Sequence, residues 1–92
     1  MPASARSAPD ISALADMCLG FLAENPEELL GFMQHAGLTP DALRAAIGSQ
    51  RLQQGLIDYF AANEPILLAL CANSGTTPEQ FMRVWHRLNQ VE

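Results

Sequence analysis

Five proline-bearing breaks, at Pro9-Asp10, Asn25-Pro26, Thr39-Pro40, Asn63-Glu64-Pro65 and Thr77-Pro78, cut this chain into short segments. Proline cannot continue a helix into its interior but is accepted in the first turn, where its missing N–H would have had no partner. Each break pairs a proline with a small polar residue able to cap a helix. Between the breaks, apolar residues recur every three or four positions. No stretch alternates apolar and polar with the β-branched enrichment of a strand. The reading is all-α: a compact bundle of five or six short helices.

Asp10 caps a first helix whose stripe is Ile11, Leu14, Cys18, Phe21 and Leu22. Asn25 is read as the cap of a second, with Pro26 at its first position, Glu28 reaching back, and Leu29, Leu30, Phe32 and Met33 inward. Thr39 and Ser49 open a third and a fourth, the latter carrying Leu52, Leu56, Tyr59 and Phe60. The run Ile66–Ala72 is apolar all round, which predicts a helix through the middle of the domain. Thr77-Pro78-Glu79-Gln80 is a complete capping box for a last helix with Phe81, Val84, Trp85 and Leu88 on one side.

The punctuation repeats. Gly37 and Gly75, and Pro40 and Pro78, stand 38 residues apart, and Leu29, Leu30, Phe32 and Met33 fall on Leu67, Leu68, Leu70 and Cys71. Upstream, one added residue aligns Phe21, Ala23 and Pro26 with Phe60, Ala62 and Pro65. Two pseudo-symmetric three-helix halves follow, about 11–48 and 49–90. Residues 1–9, rich in Ala, Ser and Pro, read as a flexible tail ahead of one helical domain over 10–92.

Composition narrows the function. Ninety-two residues carry ten acids against five arginines, a net charge of −5, which disfavours a phosphate-binding surface. The longest apolar run, Pro65 to Ala72, is far short of the ~20 residues a bilayer span needs, so no membrane is expected. Two cysteines inside apolar helices suit a reducing cytoplasm. Cys18, Cys71, His35 and His86 contain no Cys-x-x-Cys or paired-histidine clip, so neither metal nor cofactor is expected. Without an activated nucleophile or an acid–base pair, the chain is not expected to be an enzyme.

Three segments together resemble an uncharacterised family, the domain of unknown function 3572 family. They are Phe21-Leu22-Ala23-Glu24-Asn25-Pro26-Glu27, Gly37-Leu38-Thr39-Pro40-Asp41-Ala42-Leu43-Arg44 and Asn63-Glu64-Pro65-Ile66-Leu67-Leu68-Ala69. The resemblance implies a small all-helical bacterial protein. Its signature is made of caps and core leucines, so it implies no functional residue.

Two functional expectations remain. The first is a non-enzymatic adaptor or regulatory module that binds another protein, or a second copy of itself. Trp85, Met82 and Tyr59 would supply the apolar anchor and Arg83 and Arg87 its rim, while Gly55 would let another helix come close. The alternative is a degenerate helix-turn-helix regulator, built on the glycine turns at Gly37 and Gly75, that contacts nucleic acid as a dimer. Its groove-facing residues pair one arginine with one carboxylate in each copy, Arg44 with Asp41 and Arg83 with Glu79. Base reading calls for more positive charge than that.

Overall fold

Capping side chains set where most of the helices begin. The computed structural model describes residues 10–89, which form α1 (Ile11–Glu24), α2 (Pro26–Ala36), α3 (Pro40–Ala46), α4 (Gln50–Ala62), α5 (Glu64–Ser74) and α6 (Pro78–Leu88). Asp10 accepts from the Ala13 amide at 2.7 Å, Thr39 from Ala42 at 3.1 Å and Ser49 from Leu52 at 3.1 Å. At α6 the box closes both ways: Thr77 Oγ1 accepts from the Gln80 amide and Gln80 Oε1 from the Thr77 amide, each at 3.0 Å. The expected tail over 1–9 and the end of the chain beyond residue 89 lie outside the described residues.

One junction differs from the expectation, and its counterpart in the other half behaves the same way. Asn25 does not cap α2 with its side chain; its Nδ2 donates backward to the Phe21 carbonyl at 2.8 Å. Asn63 does the same to the Tyr59 carbonyl at 2.6 Å. Each asparagine is the single residue between two helices, the C-cap of one and the N-cap position of the next. An NH₂ donor finds its partner among the orphan carbonyls behind it, while the proline ahead has already removed one orphan amide.

These junctions also correct the repeat. Asn25 and Asn63 share one backbone conformation, φ −131°, ψ 79° and φ −124°, ψ 83°. The offset is therefore 38 through the helix ends as well. Phe21 corresponds to Tyr59, Leu22 to Phe60 and Pro26 to Glu64, rather than Phe21 to Phe60 and Pro26 to Pro65. Burial follows the same register: Leu14 and Leu52, Cys18 and Leu56, Leu22 and Phe60, Phe32 and Leu70, and Leu43 and Phe81 are all buried. Leu30 and Leu68 are exposed in both halves.

The centre of the domain is the seam between α1 and α4, which pack on each other more extensively than any other pair. Leu14, Cys18 and Leu22 meet Leu52, Leu56, Ile57 and Phe60 there in one continuous core. Phe60 is fully covered, with Phe21 edge-on at 5.7 Å and Phe81 at 6.5 Å. α5 is not the central helix. It buries Ile66, Leu67, Leu70 and Cys71 on one side and leaves Leu68 46% exposed on the other. Its all-round apolar character includes alanines, which lose little when exposed, so composition overstated its burial. Among the described residues no buried side-chain polar atom lacks a partner.

The halves part company at their third helices. α6 runs for 11 residues and lies on α4, whereas α3 stops after 7 and makes no comparable contact with α1. Gly48, at φ 93°, ends that path in a left-handed conformation that a side chain would strain. The Cα radius of gyration, 13.0 Å, is close to the ~12 Å expected of a compact single domain of this length.

Candidate functional site

Trp85 is held by the fold. Its indole Nε1 donates to Asp58 Oδ1 at 2.9 Å, and Asn89, whose Nδ2 reaches the Trp85 carbonyl at 2.9 Å, lies against the same carboxylate at 3.4 Å. Met82 and Trp85 share a shallow cleft with Asp58, Ala61 and Ala62, so these two expected anchors come together on the α4–α6 seam. Arg83 and Arg87 are exposed on α6. Tyr59 does not join this group. It packs on α2, with Phe32 at 5.3 Å and His35 at 5.2 Å, and its hydroxyl lies 3.1 Å from where a Cβ on Gly31 would stand.

The groups with reactive potential are withdrawn or dispersed. Cys18 is fully buried and its thiol is pushed up to about 12, first by burial and then by the neighbouring Cys71. Burial raises Cys71 too. A thiol in that range is protonated at neutral pH and makes a poor nucleophile or metal ligand. His35 lies against Tyr59 and His86 against Trp85, at 5.2 and 5.1 Å. Among the described residues no three His, Cys, Asp or Glu side chains converge as a metal site would require. At the first glycine turn, the one arginine on α3, Arg44, is tied to Asp41 at 3.1 Å.

The feature that sequence reasoning missed is a groove. The end of α2, α3 and the first turns of α4 enclose a half-open space of about 430 Å³. Phe32, Ala36, Leu38, Ala46, Leu52 and Gly55 make an apolar wall, and Ser49 and Arg51 supply its polar groups. Volume and lining lie within the range of small apolar binding sites. Gly55 is the one residue of this wall that the sequence reading offered to a partner, and a Cβ placed on it would meet nothing within 4 Å. Ile47, which sits between the lining residues Ala46 and Ser49, is 54% exposed. A second cleft of similar size is edged by Gln50, Gln53 and Gln54 and is more polar.

No helix among the described residues is long and apolar enough to cross a membrane. The α4–α5 pair, which would be long enough together, turns by 107° at Asn63 and directs its apolar residues into the core. Comparison with curated proteins and with solved structures finds no match. A family model does match, over residues 8–90. The segments that carry the resemblance are the Asn25 and Asn63 junctions and the Thr39 cap, the same positions that define the two-half fold, and the chain belongs to the family described as protein of unknown function (DUF3572).

Proposed function

We propose that this chain is a non-enzymatic interaction module of the bacterial cytoplasm, an adaptor or regulator that takes an apolar side chain of a partner protein into the α2–α3–α4 groove. The observation that carries this reading is the groove itself: a largely apolar, half-open recess of about 430 Å³ with an exposed isoleucine beside it. Recesses that admit one anchoring side chain are where interface energy concentrates. The withdrawn thiols and dispersed histidines support binding over catalysis. Trp85 has its polar atom already engaged by Asp58, so it suits the role of clasp between α4 and α6 better than that of anchor.

Affinity capture with three variants tests this. Gly55→Trp would occupy the groove and abolish capture of the partner, while Trp85→Ala and Arg83→Glu would retain it. Capture of the same partner by Gly55→Trp at wild-type level would refute the assignment. If the chain runs as a dimer that Gly55→Trp makes monomeric, the partner is a second copy.

A further inference from the structure

The 38-residue register explains why the groove is open. Counted across the halves, Gly55 corresponds to Met17, Ser49 to Ile11, Ala46 to Val84, Leu38 to Thr76 and Arg51 to Ala13. At the counterpart niche, where α1 of the first half faces the α5–α6 turn of the second, the Met17 side chain holds the corresponding position: its sulfur lies 3.8 Å from the Thr76 hydroxyl, which donates to it. Val84 is buried in the core, and Ile11 and Met17, half-buried, pack against it. At the groove, where α2 and α3 of the first half face α4 of the second, the three matching positions carry serine, glycine and alanine, and the space stays open. Of the two related niches between the halves, one thus holds a methionine where the other stays open.

Polarity changes at one position in the same comparison. Where the filled niche has Ala13, the vacant one has Arg51, the only charged residue lining it. Arg51 is exposed and takes part in no ion pair among the described residues. A long apolar side chain arriving with a carboxylate beside it would complement both features.

Resting on the interaction role proposed above, we infer that the groove accepts a Met or Leu side chain from a protein segment that carries an acidic residue next to it, the side chain standing where Met17 stands in the counterpart niche and the carboxylate meeting Arg51. The specificity is for an unbranched or γ-branched aliphatic chain, because the vacancy is that of a methionine rather than an aromatic ring.

A displayed random-peptide library selected in parallel on wild type, Gly55→Met and Arg51→Glu tests this, with circular dichroism confirming that each variant is folded. The expected result is enrichment on wild type of peptides with Met or Leu beside Asp or Glu, and none of them on Gly55→Met. An individual selected peptide should bind Arg51→Glu more weakly by about two- to fivefold, the size of an exposed ion pair. Changing its acid to the amide should weaken binding to wild type by a similar factor and, by removing like-charge repulsion, improve binding to Arg51→Glu. Peptides that depend on the groove but show no acidic preference, or that anchor with an aromatic ring, would overturn this inference and leave the interaction role standing. No enrichment, or equal enrichment on Gly55→Met, would overturn both. Selection of nothing but this chain's own segments, with Gly55→Met dissociating a dimer, would replace the partner with a second copy and also overturn it.

Discussion

The Trp85 indole N–H donates to Asp58 Oδ1 at 2.9 Å across 27 positions of sequence, joining α6 to α4. The bond is half-buried, and its acceptor is a carboxylate. Removing the acceptor leaves the part-buried indole N–H without its protein partner. Asp58→Ala is expected to cost about 1–2 kcal/mol, and Trp85→Phe a similar amount. Because both remove one bond, the double variant should cost clearly less than their sum. Urea midpoints of the three variants check this; simple additivity would mean the bond contributes nothing.

Helix-interior glycines sort by the space around them. Gly20 has nothing within 4 Å of an added Cβ, whereas Gly31 faces the Tyr59 hydroxyl at 3.1 Å. Gly20→Ala should therefore show the full helix gain of about 0.5–1 kcal/mol. Gly31→Ala must displace the tyrosine and should gain less or lose stability. Denaturant midpoints of the two variants measured side by side decide it.

The paired junctions make a symmetry prediction. Asn25 and Asn63 make the same backward bond, to Phe21 and Tyr59 carbonyls. Asn25→Ala and Asn63→Ala should each cost about 1 kcal/mol and agree within a few tenths. A large difference between their unfolding free energies would show that the two junctions are alike in geometry but not in energy.

Cys18 sets an alkaline limit. Its thiol is raised in the folded state from about 9 to about 12, so unfolded chains lose that proton first as pH rises. The stability it contributes is intact below pH 9 and is lost progressively between pH 9 and 12. Between pH 8 and 10 wild type should lose about 1.4 kcal/mol more than Cys18→Ala. Urea unfolding of both proteins at the two pH values checks this, and parallel losses would contradict it. At pH 8 the same burial should leave Cys18 unmodified by maleimide until the chain unfolds.

Much of this fold could be read from local signals. Thr77-Pro78-Glu79-Gln80 forms the box its spacing predicts, and Asp10, Thr39 and Ser49 cap as their types suggest, because a cap involves only the next three residues. At the junctions and in the repeat, the choices that failed were those in which two local solutions competed, whereas α5 was misplaced because apolar composition overstated its burial. Asn25 could serve the amides ahead or the carbonyls behind, and Pro26 and Pro65 invited an alignment one residue out of register with the backbone. Contacts between distant elements left no periodic trace. Asp58 gives no hint that Trp85 will reach it, and although Gly55 stands out by itself, nothing local ties it to Ala46 and Ser49, whose smallness makes the groove with it. Only the match of Gly55 with Met17 under the corrected register could have flagged it.

The vacancy at Gly55 can be tested without any partner, through the unfolding free energy of Gly55→Met set against Gly55→Ala. If the groove is the empty counterpart of the Met17 niche, alanine gains about 0.5–1 kcal/mol from helix propensity. Methionine then gains about 1 kcal/mol more by covering apolar wall now open to water. A methionine variant no more stable than the alanine variant, or less stable than wild type, would contradict the correspondence between the two halves and the binding role built on it.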